Sequence, residues 1–289
     1  MKKLCILAII LLSSCVSQQL NRFSGFADAG SSYCEAMHKL TREAGLIAID
    51  ADSELLLEDR DLFSQDERRE IYKERTQALE ELLATLSSIR DHTSLLERYF
   101  TSLSQLSGTK SQSALNGQLE SVISSLRSIH PGLENASIGN ASVKDFMGAA
   151  SPMMISVFKQ KKLGEELRKN GATIERELEL QQALLTALTE QMKSDLELML
   201  KMKDFQTVSQ PFINAARMPD NWKEKRKEIL TTYLMLDAAD KARSAAGELK
   251  NAWLNLLGSS DGIPDFRLLF DDIGAMIDLV EMVRNNQEK

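Results

Sequence analysis

Hydrophobic positions recur along this chain at alternating spacings of three and four, the period of one helix face. The first seam runs Phe23, Phe26, Gly30, Tyr33, Met37, Leu40, Ala44 and Ile47. It predicts a coiled-coil-like helix from about Leu20 to Arg60. Glycine at position 30 costs such a helix about 1 kcal/mol, so Gly30 predicts a close approach by a neighbouring element. Ser64-Gln65-Asp66-Glu67 reads as a capping box that opens a second helix. Its seam is Leu79, Leu82, Leu86, Ile89, Thr93, Leu96, Phe100 and Leu103. Leu83, Leu95, Tyr99 and Leu106 widen that stripe, as expected where a helix has more than one neighbour. Gly108 ends it.

A shorter amphipathic stretch follows, with Leu115, Leu119, Val122, Leu126 and Ile129 on one face and His130-Pro131-Gly132 as its stop. Residues 131–142 carry little apolar content and predict a linker loop. From Val143 to about Val208 the pattern predicts one long helix, bent near Pro152. Gln181 falls on its seam between Leu178 and Leu185, which predicts a polar pin that sets register. Beyond Pro211 and Pro219, Asn221-x-x-Glu224 predicts the cap of a further helix, with an alanine-rich section and Trp253 downstream. A last helix carries Phe266, Leu269, Ile273, Ile277, Val280 and Val283. Six helices, some above 30 residues, predict an all-α, elongated multi-helix bundle ~50 Å or more in length at ~1.5 Å per residue.

The first residues break this pattern. Lys2 and Lys3 precede an unbroken apolar run, Leu4 to Leu12, and then Ser13 and Ser14 lead to Cys15. Nine apolar residues make only ~14 Å of helix, against a bilayer core of ~30 Å. The segment therefore reads as a secretory signal and not as a membrane span. Leu12-Ser13-Ser14-Cys15 resembles the lipobox of bacterial lipoproteins. The resemblance covers residues 1–15 only. It implies cleavage between Ser14 and Cys15, acylation of Cys15, and a stable lipid anchor. Val16 follows the cysteine where an aspartate would favour inner-membrane retention, so the resemblance implies the outer membrane, facing the periplasm, in a host with two membranes. The expected organisation is a signal peptide at 1–14, a lipidated tether at 15–19, helical regions at 20–130 and 143–289, and the linker between them. The two regions are compatible with a single bundle.

Composition and charge narrow the functions. The chain holds 42 acidic against 35 basic residues, a net charge of −7, and loss of two lysines with the signal makes it about −9. Such a balance opposes nonspecific nucleic-acid binding and electrostatic adhesion to anionic lipid. Of three cysteines, Cys5 leaves with the signal and Cys15 carries lipid, which leaves Cys34 beside the first seam as a sheltered thiol or an intermolecular disulfide.

The chemistry is sparse. His38, His92 and His130 stand apart from one another and from any H-E-x-x-H pattern, so no metal ligand set is expected. His130 reads as a helix-end residue and His92 as a solvated or partly packed one. No nucleophile elbow or phosphate-binding glycine loop occurs. Asp50, Asp52 and Glu54 lack the glycine a calcium loop needs, because Leu55 stands in its place. Glu165, Glu166, Glu175, Glu177 and Glu179 read as an ordinary charged helix surface. Met192, Met199 and Met202 read as core. Phe146 to Phe158, with Met153 and Met154 inside it and Lys159, Lys161 and Lys162 after it, is an apolar stretch of two readings: a kinked core helix, or a contact for a partner or membrane. No catalytic, cofactor-binding or metal-binding residue is predicted, and no cofactor. The expected function is a non-enzymatic, lipid-anchored periplasmic scaffold or adaptor that binds a protein or itself, and no nucleic acid. The alternatives are a membrane-active helical protein of pore-forming or exclusion type, and a binder or enzyme with a site inside the bundle.

Overall fold

The computed structural model describes residues 2–107, 112–148, 161–214, 217–258 and 266–287; the side chains of the first twenty residues lie outside that description. Six long helices carry the fold: α1 (Lys2–Asp59), α2 (Gln65–Ser107), α3 (Gln112–Glu134), α4 (Lys161–Asp204), α7 (Leu234–Leu257) and α8 (Arg267–Gln287). Two short ones, α5 (Gln210–Asn214) and α6 (Trp222–Thr232), lie between α4 and α7. The architecture is an all-α bundle.

Pairings along the helices fix their directions. Gly30 faces Phe100 and Asp52 meets Arg75, so α1 and α2 are antiparallel. Tyr33 reaches Gln181 and Glu54 pairs with Lys203, so α4 runs parallel to α1. Parallel too are α3 and α4, joined by Glu120–Lys169, Arg127–Thr173 and His130–Glu177. Against α4, α7 runs back, with Lys250 on Glu179 and Trp253 near Gly171. Finally α8 follows α1, from Gly25–Phe266 to Lys39–Glu281.

One core runs through both halves of the chain, from Phe23 to Val283. Level with Gly171 near the start of α4, Phe26 meets Phe100 edge-on at 5.4 Å and Trp253 at 5.3 Å. The Trp253 indole N–H donates to the Gly171 carbonyl at 3.0 Å, so its polar edge is satisfied although the ring is buried. Gly30 is the expected close approach, since a Cβ there would lie 2.6 Å from a Phe100 ring carbon. Cys34 is buried and unpaired, which is the sheltered reading. Met192 and Met199 are core residues. At the start of α2, Glu67 accepts hydrogen bonds from the Ser64 backbone N–H at 2.9 Å and from its hydroxyl at 2.7 Å, one arm of the capping box. Asn221 takes the cap position of α6 but makes no side-chain cap bond.

Three expectations about the middle of the chain are corrected. The stop at Pro131 fails, because α3 continues to Glu134. Pro131 removes one N–H, but burial of Leu133 and the ties of His130 and Glu134 to α4 hold the last turn in place. Part of the expected linker is ordered as a hairpin, Ser137–Ile138 (β1) against Ala141–Ser142 (β2), antiparallel. Gly139 turns it at φ 58°, and a Cβ there would run into the Gln191 side chain. The single helix from 143 to 208 is not formed either. Val143–Phe146 is one 3-10 turn and Met147 is extended. The Val143 N–H is drawn to the Ala136 carbonyl and the Gly148 carbonyl to Arg176, which takes this segment out of a helical path. The expected bend at Pro152 lies outside the described residues. At the other end α4 widens into a π-turn over Phe205–Ser209. Gln210 donates there to the Phe205 carbonyl, five residues back and just before Pro211, which has no N–H to donate.

Candidate functional site

The residues expected to carry function are not gathered at one place. Ser14 and Cys15 lie on the backbone of α1, with side chains outside the description. Phe146 is exposed at the end of the 3-10 turn, while Met153, Met154 and Phe158 lie outside the described residues. Among the described residues no helix is long and apolar enough to cross a membrane.

Exposed apolar surface is concentrated instead at one end of the bundle. There Glu54 in the last turns of α1 pairs with Lys203 at the end of α4, from which the π-turn, α5 and α6 continue. Phe205, Phe212 and Ile213 are 60, 68 and 73% exposed. Leu230 of α6 and Tyr233 just after it are exposed too, as are Leu57, Leu62 and Tyr72 around the α1–α2 turn. The knob is nevertheless rigidly built. The Trp222 indole N–H donates to the Val208 carbonyl at 3.0 Å, Phe212 stacks on the indole at 5.9 Å, and the Arg226 guanidinium lies 5.8 Å over its centre. Below the tip a groove of about 690 Å³ opens between α1, α2, α4 and the hairpin, floored by Ala48, Ala51, Leu79 and Leu82.

A second feature is polar and buried. Glu177 of α4, expected on the surface, is enclosed, and its Oε2 lies 2.8 Å from His92 Nε2 of α2 and 2.8 Å from His130 Nδ1 of α3. His92 is wholly buried, where a solvated or partly packed ring was expected. His130 is an interior residue of α3 and not its end. Glu175 and Glu179 are largely buried as well.

The hydrogen bonds have a direction. Tyr33 donates to Gln181 Oε1 at 3.4 Å, and Gln181 Nε2 donates to His92 Nδ1 at 2.6 Å and to Thr93 at 3.2 Å. His92 therefore accepts at Nδ1 and donates its Nε2–H to Glu177. The polar pin expected at Gln181 thus joins α1, α2 and α4. On the outer side, Glu134 lies 3.5 Å from His130 Nε2 and is bound by Arg176, which also holds Glu179 and the Gly148 carbonyl.

Electrostatics follow from this geometry. The hydrogen bond to Glu177 raises the His130 pKa, against a smaller loss from burial. Burial pushes the Glu177 carboxyl up, but the bonds from His130 and His92 outweigh it and hold the carboxyl below its ordinary value. The centre reaches solvent at a shallow pocket of about 350 Å³ lined by Arg127, His130, Thr173 and Arg176. Two rings share one carboxylate oxygen through their protons. Among the described residues no set of three or more His, Cys, Asp or Glu side chains is arranged to hold a metal.

Two signals in the sequence pointed to this centre without revealing it. Thr93 and Gln181 interrupt otherwise apolar seams, and Glu177 stands one helical turn before Gln181. No family model matches the chain, and neither does any curated protein or solved structure.

Proposed function

We propose that this chain is a non-enzymatic lipoprotein, cut after Ser14 and acylated at Cys15, that serves as a helical scaffold or protein-binding adaptor of the cell envelope. In a host with two membranes the anchor lies in the outer one and the body faces the periplasm. The acyl chains are its membrane contact and a protein is its partner.

One observation carries this reading: the exposed apolar surface sits at the end of α1 remote from Cys15. The helix is continuous, so about 44 steps of ~1.5 Å separate Cys15 from the tip at Asp59 by ~66 Å. An exposed patch of aromatic and aliphatic side chains is the mark of a surface that meets something. The buried histidine–glutamate centre supports the non-enzymatic part, because its donors and acceptors are engaged with one another.

Two measurements test the proposal. A clickable palmitate analogue labels the wild-type chain in cells and fails to label Cys15→Ser, which leaves the membrane fraction. A photo-crosslinker in place of Ile213 forms a protein adduct in intact cells, and one in place of Leu268, equally solvent-accessible but far from the tip, does not. No label at Cys15 removes the anchor, and no adduct at position 213 removes the adaptor.

A further inference from the structure

We infer that the π-turn, α5 and α6 form a docking face for a protein segment with an apolar stripe bordered by carboxylates. This rests on the adaptor reading and names the partner's chemistry.

The charge of the face differs from that of the chain. Along α6, Lys223, Arg226 and Lys227 are exposed, and none has an ion-pair partner among the described residues. Lys225 is already paired with Glu228 at 2.7 Å, and Arg217 with Asp220 at 3.9 Å. Glu224 is the one exposed acidic residue of α6. A protein of net charge −7 therefore keeps a locally basic face where its rings are exposed.

The arrangement of that charge selects protein over lipid. An interfacial membrane helix separates an apolar face from a cationic one. Here the apolar face of α6, through Ile229 and Thr232, is turned into the core. Its outer face mixes Lys223, Lys227 and Leu230 at successive turns, with Tyr233 just beyond its end. Aromatic residues and arginine interleaved on a rigid frame are the composition of protein-binding hot spots. The Phe212–Trp222–Arg226 stack supplies such a frame, so little side-chain freedom is lost on docking. Basic side chains around apolar anchors are complemented by acidic side chains around an apolar stripe.

The test uses the full chain in mild detergent and two labelled 18-residue helical peptides that share one leucine face. One peptide has glutamate borders and the other lysine borders. Fluorescence anisotropy at low salt gives about ten-fold tighter binding of the glutamate peptide, and the gap narrows as salt is raised. The double variant Lys223→Glu/Lys227→Glu reverses the preference, with helical content by circular dichroism unchanged. Phe212→Ala weakens both peptides. Equal binding or no binding overturns the inference, as does flotation of the unacylated Cys15→Ser chain with phosphatidylglycerol vesicles in place of peptide binding. The crosslink at position 213 reports separately on the adaptor, so an adduct without acidic preference leaves that reading standing and sinks this one.

Discussion

Level with the start of α4, Phe26, Phe100 and Trp253 are wholly buried against one another, whereas at the tip Phe205, Phe212 and Tyr233 stand in solvent. Both regions are built from amphipathic helices, so the contrast lies in how many helices surround each level. In the middle α3 lies along α4; it ends beside Arg176, about 28 residues and ~42 Å before α4 does. Above that point the short hairpin takes the place of α3 beside the α1–α2–α4 groove, which stays open under the tip. A helical seam therefore states which face is apolar, and the number of neighbours decides whether it becomes core or contact surface.

The comparison would break most visibly at the middle. Glu177→Ala leaves His92 enclosed without its acceptor and removes a tie between three helices. A buried donor left without its acceptor costs about 1–3 kcal/mol. Trp253→Ala opens a cavity at the aromatic junction and costs more, ~3–5 kcal/mol. Urea denaturation of each variant measures this; a shift below about 1 kcal/mol for either would mean that the middle is no better packed than the tip.

Gly30→Val sharpens the same contrast with a smaller effect. Its Cβ would overlap the Phe100 ring at 2.6 Å, and overpacking of this kind costs about 1–3 kcal/mol. Gly274 of α8 has open space around it, so Gly274→Ala should gain up to ~1 kcal/mol from helix propensity. The pair of opposite signs, read by thermal unfolding, separates contact from propensity.

Much of this was legible in the residues. The seams through Phe23–Ile47 and Leu79–Leu103 locate α1 and α2, and Gly30 on a seam predicts the approach of a ring. The histidine–glutamate centre was not legible, because Glu177 is drawn inward by residues 85 and 47 positions away. Spaced among Glu175 and Glu179, it has the local pattern of a solvated face; only tertiary packing supplies the two rings. Helix ends failed for a related reason. Pro131 weakens a helix locally, but contacts with α4 outweigh one missing hydrogen bond. The tip's basic face was hidden by averaging, since a chain-wide excess of acid says nothing of one eleven-residue helix.

Acidity gives a weaker handle on the centre. His130 has its pKa raised above the ordinary 6.5, so its contribution is full below that pH and is lost as pH rises through the folded-state value. Glu177 is held below its ordinary 4.5, so its contribution is full above 4.5 and is lost as pH falls through the depressed value. The centre's contribution to stability should therefore be greatest between about pH 4.5 and 6.5 and decline on both sides. On the alkaline side the loss is on the order of 1 kcal/mol or less, because His130 opens toward solvent. His130→Gln should flatten the alkaline limb and weaken the acid one, because Glu177 loses one of the bonds that hold its carboxyl down, in urea midpoints taken from pH 4 to 9.

The smallest stability effect belongs to the tip and is the most informative about it. Ile213 is 73% exposed, so Ile213→Asn should change stability by no more than about 0.5 kcal/mol. Phe212→Ala should cost about 1 kcal/mol, because the ring stacks on Trp222 and that stack is worth something beyond its area. A surface kept for a partner shows this signature: a mild neighbouring substitution such as Phe212→Ala removes the adduct that the crosslinker at position 213 forms in cells. Leu268, 68% exposed on α8, is the control, since Leu268→Asn should be as mild in unfolding and leave the adduct intact. If Ile213→Asn instead lowered stability by more than about 1 kcal/mol, the tip would be packed surface. The difference between the two ends of the bundle would then be one of degree, and the case for a docking end would lose its footing.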